Sequence, residues 1–467
     1  MLTSLIGGIL LLLHAAGVVA AMHAVMNTRT PQGAFAWALG LVLLPYLTLV
    51  PYLYLGRSHF HGYVDLHRLR REQMQALAHV PLTAGPASRE ACSRYGEIAH
   101  MLGAQFHTGQ QLKLLINGDA TFDAILSAIG EAKHCVLVQF FIIHDDMLGR
   151  RLQQVLLERV RAGVEVCVLY DGIGSHALPR QYVDTLSDAG VSIHPFATQR
   201  RSNRFQLNFR NHRKIVVIDG LRGFVGGLNV GDEYLGLMPP LAPWRDTHLQ
   251  IDGPAVADLQ RSFAEDWHWV TGALPPLLSP RPGEGSAHTL IVATGPADRQ
   301  ETCSLFFVAA IHAARKRLWI TTPYFVPDQA VMAALRLAVF RGVDVRVLIP
   351  SRPDHHAVFL ATGLYAHDAV GAGIRMFRYQ PGFIHEKVML IDDDTASVGS
   401  MNLDNRSFRL NFEIGALNVD RAFALQVEAM LLEDFSHAHE VTEAEYLKAP
   451  YLRRLAMHVA RLFDPVL

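Results

Sequence analysis

Two stretches of this 467-residue chain repeat one spacing of polar side chains. The first holds His212, Lys214, Asp219, Gly226, Gly227 and Asn229. The second holds His385, Lys387, Asp392, Gly399, Ser400 and Asn402. From each histidine the lysine lies at +2, the aspartate at +7, a glycine at +14, a glycine or serine at +15 and an asparagine at +17. Random placement of this composition expects about 0.02 copies of His-x-Lys with Asp at +7, so two copies are not accidental. A neutral imidazole is a competent nucleophile, and a nearby imidazolium can give and take a proton near neutral pH. Lysine, a compact charge, suits a cramped site around one tetrahedral phosphate better than the wide arginine fork. Only 6 of the 42 cationic side chains are lysines, and two of the six stand in these motifs.

Taken singly, such a histidine is ordinarily a satisfied core residue and such a lysine a solvated charge. The shared offsets displace that reading for the two histidines, the two lysines and the two asparagines. They do not displace it for Asp219 and Asp392, which precede Gly220 and Asp393 at strand ends, as turn formers do.

The apolar runs 215–218 and 388–391 predict a buried strand in each motif, with His and Lys on one face. Pseudo-twofold packing of two such strands would gather both pairs around one pocket. Asn229 and Asn402 would supply amide donors there, and the glycines would permit close backbone approach. Strand–helix–strand patterns recur: 136–143, 147–161 and 164–170 match 318–326, 329–341 and 343–349. The phrases RAGVEVCVL and FRGVDVRVL indicate duplication. The expected fold is α/β: two pseudo-symmetric halves, each a mixed sheet flanked by helices, sharing one active site.

Residues 1–64 carry two charged side chains, Arg29 and Arg57. The apolar runs 1–26 and 33–55 each reach the ~20 residues of a membrane span, which predicts a transmembrane helical hairpin. No Lys or Arg precedes the first run, unlike a cleaved signal peptide. Arg57, Arg68, Arg70 and Arg71 outnumber Arg29 in the turn, so both termini and the catalytic body are expected on the cytoplasmic side. The expected division is hairpin 1–56, juxtamembrane helical linker 57–107, half one 108–274, linker 275–286, half two 287–440 and a C-terminal amphipathic helix 441–467. That last segment reads equally as lying on an anionic leaflet or as packing on the core.

Composition excludes other classes. Half the residues are hydrophobic and 18% are charged, too apolar for a disordered chain. A net charge of −1 offers no field for nucleic acid. The four cysteines show no CxxC pairing and indicate neither a zinc site nor a disulfide framework. No P-loop is present, which agrees with a reaction that needs no nucleotide cofactor.

HxKxxxxD followed by GGxN or GSxN resembles the phospholipase D superfamily, and within it the bacterial cardiolipin synthases. The closer resemblance rests on TPQGAFAWALGLVLLPY, WRDTHLQIDGPAV, TTPYFVPD, GSMNLDNRSFRLNFEIG and LFDPVL. It covers nearly the whole chain. It implies metal-free phosphatidyl transfer through a covalent phosphohistidine, with two phosphatidylglycerols giving cardiolipin and glycerol at a bacterial inner membrane. It implies His212 as nucleophile and His385 as general acid and base, with Asp219 and Asp392 counted in the motifs. Lys214, Lys387, Asn229, Asn402 and Ser400 would hold phosphate, and Glu233 and Glu413 would orient the two histidines. Glu386, between His385 and Lys387, is expected to face away from the pocket. The alternatives are a phospholipase D releasing phosphatidic acid and transfer to another acceptor lipid. The expected partners are phosphatidylglycerol, other anionic phospholipids and the bilayer; the sequence leaves the oligomeric state open.

Overall fold

A computed structural model describes residues 2–28, 31–56, 86–196, 208–280 and 282–464. The basic residues on which sidedness was argued, Arg29, Arg57, Arg68, Arg70 and Arg71, lie outside the described residues, as does 57–85 of the expected linker.

The N-terminal run forms α1, Leu2–Asn27, which carries no charged side chain and has membrane-spanning length. The second run is not the single spanning helix that its apolar length predicted. It forms α2 (Pro31–Leu43) and α3 (Pro45–Leu55), of 13 and 11 residues. Pro45 has no N–H for the Leu41 carbonyl, and it forces Leu44 out of the helical region to φ −135°, ψ 55°. The Leu41 carbonyl is instead packed against α1, where a Cβ on Gly17 would stand 2.3 Å from it. Ala21, Ala24, Leu41 and Tyr52 fill the space between the helices, and His23 Nδ1 meets the Tyr52 hydroxyl at 2.7 Å.

Beyond α4 (Pro86–Leu102), the first half supplies β1 (His107–Ile116), β2 (Cys135–Phe140), β3 (Glu165–Asp171), β4 (Ser192–Phe196), β5 (Ile215–Ile218), β6 (Arg222–Gly226), β7 (Thr247–Asp252) and α5 (Val256–Thr271). The second supplies β8 (Ala287–Thr294), β9 (Arg317–Thr321), β10 (Asp344–Pro350), α6 (His356–Gly371), β11 (Arg375–Tyr379), β12 (Val388–Ile391), β13 (Thr395–Gly399), β14 (Asn411–Val419), α7 (Arg421–Ser436) and α8 (Tyr451–Arg461). Outward from the centre the order is β1-β7-β6-β5-β2-β3-β4 on one side and β8-β14-β13-β12-β9-β10-β11 on the other. Each strand has a counterpart at the same place. In both halves the last three are parallel and the rest antiparallel. The β1–β8 pair joins the halves. The duplication in the sequence therefore extends to these fourteen strands; among the described residues only the short edge strand Ala438–Glu440, antiparallel to β11, has no counterpart.

Each half has its own outer core, and a third core lies between them. This shared core takes Leu137, Ile215 and Val217 from one half, Val388, Leu390 and Val398 from the other, and closes with residues of α5 and α7. The α4 helix precedes the first half in the chain but packs on the second. Tyr95 and Ile98 enter its core, and Arg94 pairs with Asp392 and Asp394.

Candidate active site

Each motif begins where the chain changes partners. Arg210 and Asn211 pair with Asn411 and Phe412 of the opposite half, whereas β5 pairs with its own half. In the same way Phe383 and Ile384 pair with Trp244 and Arg245 across the dyad, and β12 stays at home. His212–Lys214 and His385–Lys387 are the short extended links between these segments, not residues within the strands as the apolar runs suggested. The exchange is what brings the two motifs to one place. It is fixed by His212 N donating to the Phe412 carbonyl at 2.9 Å and His385 N to that of Arg245 at 2.7 Å.

The carboxylate partners cross over as well. His212 Nδ1 lies 2.9 Å from Glu413 Oε2. His385 Nδ1 lies 2.7 Å from Asp246 Oδ2. Glu413 and Asp246 open the equivalent strands β14 and β7, each supplied by the half opposite its histidine. His385 Nδ1 also lies 2.8 Å from Lys387 Nζ; in the tautomer in which Nδ1–H donates to the carboxylate, each ring keeps Nε2 for chemistry, and among the described residues neither Nε2 makes a hydrogen bond.

Glu233 does not orient a histidine of the motifs. Its carboxylate pairs with His144 at 3.1 Å, and the position expected of it belongs to Asp246. The reason is the crossover: Glu233 sits in the short turn 232–235 after its own motif, whereas the orienting carboxylate comes from a strand start that faces the other half. Asp246, within WRDTH, was missed. Aligning WRDTH on NFEIG, the two strand starts, would have found it.

Asp219 and Asp392 lie at the far ends of β5 and β12, seven residues from the histidines, or about 20 Å of extended chain. They are not at the site. Both adopt φ 52°, and each caps the start of a neighbouring strand. Asp219 accepts from the N–H groups of Lys133, His134 and Cys135, and Asp392 from those of Arg315, Lys316 and Arg317. The turn-forming reading holds, and the shared +7 offset reflects a shared turn.

The remaining residues do converge. Lys214 Nζ donates to the His212 carbonyl at 2.6 Å, and Lys387 Nζ to that of His385. Ser400 Oγ donates to Glu413 Oε2 at 2.5 Å; Ser407 and Asn411 donate to Oε1 at 2.8 and 3.1 Å. Asn229 accepts from Ile142 N and donates to the Tyr234 hydroxyl; Asn402 is buried with its N–H on Ser407. Gly227 stands where Ser400 stands in the other half, and a Cβ there would meet Asp246 Oδ1 at 2.2 Å. Aromatic rings wall the site. Phe141 lies 5.1 Å from His212, Trp244 5.1 Å from His385, and Tyr324 6.5 Å from His385. The Tyr324 hydroxyl donates to Asp354. Sequence reasoning missed these walls, because no offset relates them.

Burial sets the electrostatics. It pushes His212 down to about 4 against the pull of Glu413, and with the Lys387 ammonium it pushes His385 down to about 4. Burial lowers Lys387 to about 8 and Lys214 well below the lysine range. Burial opposes ionisation of Glu413, yet the attraction of His212 and Lys214 and the Ser400 hydroxyl bring it down to about 2. The site is thus buried, with two neutral imidazoles and the Lys387 ammonium beside two ionised carboxylates, Glu413 and Asp246. Glu386 faces away, as expected. It is fully buried, accepts from Thr247 Oγ1 and pairs with Arg245 at 2.9 Å, and Arg245 also holds Asp434. Burial pushes the Glu386 carboxyl up to about 8, with Arg245 pulling the other way. Among the described residues no group of His, Cys, Asp and Glu could hold a metal ion.

Comparison with known proteins agrees with this arrangement. Residues 307–435 match a family model described as cardiolipin synthase, PLD-like domain, and residues 15–57 match one described as phospholipase D-nuclease N-terminal. Cardiolipin synthase A of Pseudomonas putida is 58% identical over 99% of this chain and 98% of its own length. Cardiolipin synthase A of Pseudomonas fluorescens is 56% identical over the same shares. Among solved structures, phosphatidylserine synthase of Haemophilus influenzae superposes with TM-score 0.62 at 16% identity, covering 80% of this chain and 100% of that one. Polyphosphate kinase of Porphyromonas gingivalis does so at 0.50 and 13%, covering 72% and 49%. These two likenesses are of fold alone.

Proposed function

The chain belongs to the cardiolipin synthase family of phospholipase D-like proteins, and from that premise we propose that it joins two phosphatidylglycerols into cardiolipin and releases glycerol. One observation carries the reading. Two buried imidazoles, each held at Nδ1 by a carboxylate from the opposite half, leave Nε2 without a hydrogen bond among the described residues, with Lys214 and Lys387 beside them.

In the first step His212 Nε2 attacks phosphorus. The bond from phosphorus to the headgroup glycerol oxygen breaks, and that oxygen takes the proton of His385 Nε2–H. The products are glycerol and a phosphatidyl group on His212. In the second step neutral His385 removes the proton from a hydroxyl of a second phosphatidylglycerol, whose oxygen attacks phosphorus while the P–N electron pair returns to His212. One phosphodiester replaces another, so no nucleotide is consumed. The anionic phosphodiester raises the affinity of His385 for the proton that burial and the Lys387 ammonium disfavour. Lys214 and Lys387, with Asn229 and Asn402, stabilise charge on the nonbridging oxygens. Glu413 and Asp246 are positioning residues that favour the imidazolium of each partner. Glu413 also accepts from Ser400, Ser407 and Asn411, and Asp246 from Thr247 N; the assignment of His212 as nucleophile and His385 as acid follows the resemblance to the family.

We assign the apolar segment 1–56 as a multi-pass anchor in a bacterial inner membrane, with the body, halves 108–274 and 287–440, on the cytoplasmic side. Support comes from the apolar α1 and from the arginines after residue 56. The test is product analysis with labelled phosphatidylglycerol in mixed micelles. Cardiolipin with an equal amount of glycerol is expected. Phosphatidic acid as the main product would make the protein a hydrolase, and a mixed diphosphatidyl product with another lipid would change the acceptor.

A further inference from the structure

The last helix, α8, packs on α6 through Met457 and Ala460, the two residues it buries. The Met457 methyl fits over Gly363, Arg461 pairs with Asp368 at 3.1 Å, and the same guanidinium lies over the Tyr365 ring. The opposite side is apolar and bare. Leu452 and Leu462 are 76% and 77% exposed, and Tyr451, Leu455, Val459 and Phe463 are exposed with them. At 100° per residue these six fall within an arc of about 120°. A helix on a soluble body turns such a stripe inward; this one turns it out. Seven of the eighteen large apolar side chains exposed outside α1–α3, among the described residues, lie between Leu447 and Phe463.

Charge says what covers the stripe. Arg453 and Arg454 flank it and Lys448 stands just before the helix, the pattern of a helix lying in an anionic interface. The support beneath also leads to the site: α6 starts two residues after Asp354, which accepts the Tyr324 hydroxyl beside His385. We propose that the exposed stripe of α8 docks in the surface of an anionic lipid leaflet and holds the second half against it. This concerns how the body meets the bilayer and does not depend on which lipids are joined.

The test uses full-length protein in vesicles. A polarity-sensitive fluorophore is placed on Leu455→Cys, or for reference on the exposed Glu158→Cys of the first half, in a Cys92→Ser background; the other three cysteines are buried. In phosphatidylglycerol vesicles containing brominated lipid, the label at 455 is expected to be quenched at least twofold and the label at 158 hardly at all. Adding Arg453→Glu and Arg454→Glu should reduce the quenching at 455. Equal, weak quenching at both sites would overturn the proposal. So would a shielded 455 label that is unquenched by lipid and cross-links to its copy, since a second chain would then cover the stripe. Wild-type-like melting of the labelled variants keeps misfolding out of the result.

Discussion

Asp246→Asn isolates the feature that the crossover adds to the paired motif. The wild-type carboxylate sits 2.7 Å from His385 Nδ1, fully buried, and also accepts from Thr247 N at 2.8 Å. The two contacts use different oxygens, so the single amide oxygen of an asparagine keeps the one to His385 Nδ1 only with its NH2 turned to Thr247 N; the substitution keeps the side chain's shape and removes the charge and one hydrogen bond. For charge centres ~4 Å apart at an effective dielectric of ~20, that charge stabilises an imidazolium by about 4 kcal/mol. At 1.36 kcal/mol per decade the expected loss in kcat is about a thousandfold. KM for phosphatidylglycerol should move little, because the anionic substrate gains nothing from Asp246. The assay is initial-rate cardiolipin formation in mixed micelles, with glycerol release followed in parallel and thermal melting as a fold control. Glu233→Gln is the comparison: it breaks only the pair with His144 and should stay within a few-fold of wild type. If Asp246→Asn keeps more than a tenth of the activity, or Glu233→Gln loses as much, the crossed-carboxylate account is wrong.

Other consequences can be measured with the same protein. Gly227→Ala places a Cβ 2.2 Å from Asp246 Oδ1 and should cost at least a hundredfold in kcat with a shift in melting of only a few degrees, read by rate and calorimetry. Lys387, buried and lowered to about 8, loses its charge as pH rises, so kcat/KM should fall above pH 8; a flat profile to pH 9.5 would contradict that role. His212 and His385 are held neutral, with values near 4 against 6.5 unfolded, so the unfolded chain binds more protons between those values. The melting temperature should therefore fall on acidification from pH 6.5 to 4, less steeply in a His212→Gln, His385→Gln double variant. Glu386 has the opposite sign: its carboxyl is raised, so its contribution to stability is lost as pH climbs from 4.5 toward 8. Glu386→Gln should raise the melting temperature more at pH 8 than at pH 5 and leave the rate within a few-fold.

The chemistry-bearing residues were legible because the chain is duplicated: two copies of one spacing exposed His212, Lys214, His385 and Lys387, and the motif strands 215–218 and 388–391 fall where the apolar runs place them. Helix Met147–Arg161 was equally open to reading from its period, and the structure adds Asp146 as its cap. What was hidden is what depends on the other half. Offsets along one motif cannot say that a histidine's carboxylate arrives from across the dyad; the resemblance supplied Glu413 but named Glu233 in the place that Asp246 holds. The aromatic walls, Phe141, Trp244 and Tyr324, follow no repeat. The break in the second apolar run was marked by Pro45, but hydrophobicity alone is blind to the missing hydrogen bond at Leu41. The direction of the α8 stripe was undecidable from periodicity, because a helical wheel shows that a face exists and not what it meets.

The central claim is a phosphatidyl group carried on His212, and it can be caught directly. Wild-type protein is mixed with phosphatidylglycerol, quenched during the first turnovers in cold mild alkali, where phosphohistidine survives, and digested for mass analysis. The account predicts the added phosphatidyl mass on the peptide containing His212 and none in His212→Ala. An adduct on His385 in the wild type, or turnover to cardiolipin by His212→Ala, would contradict it.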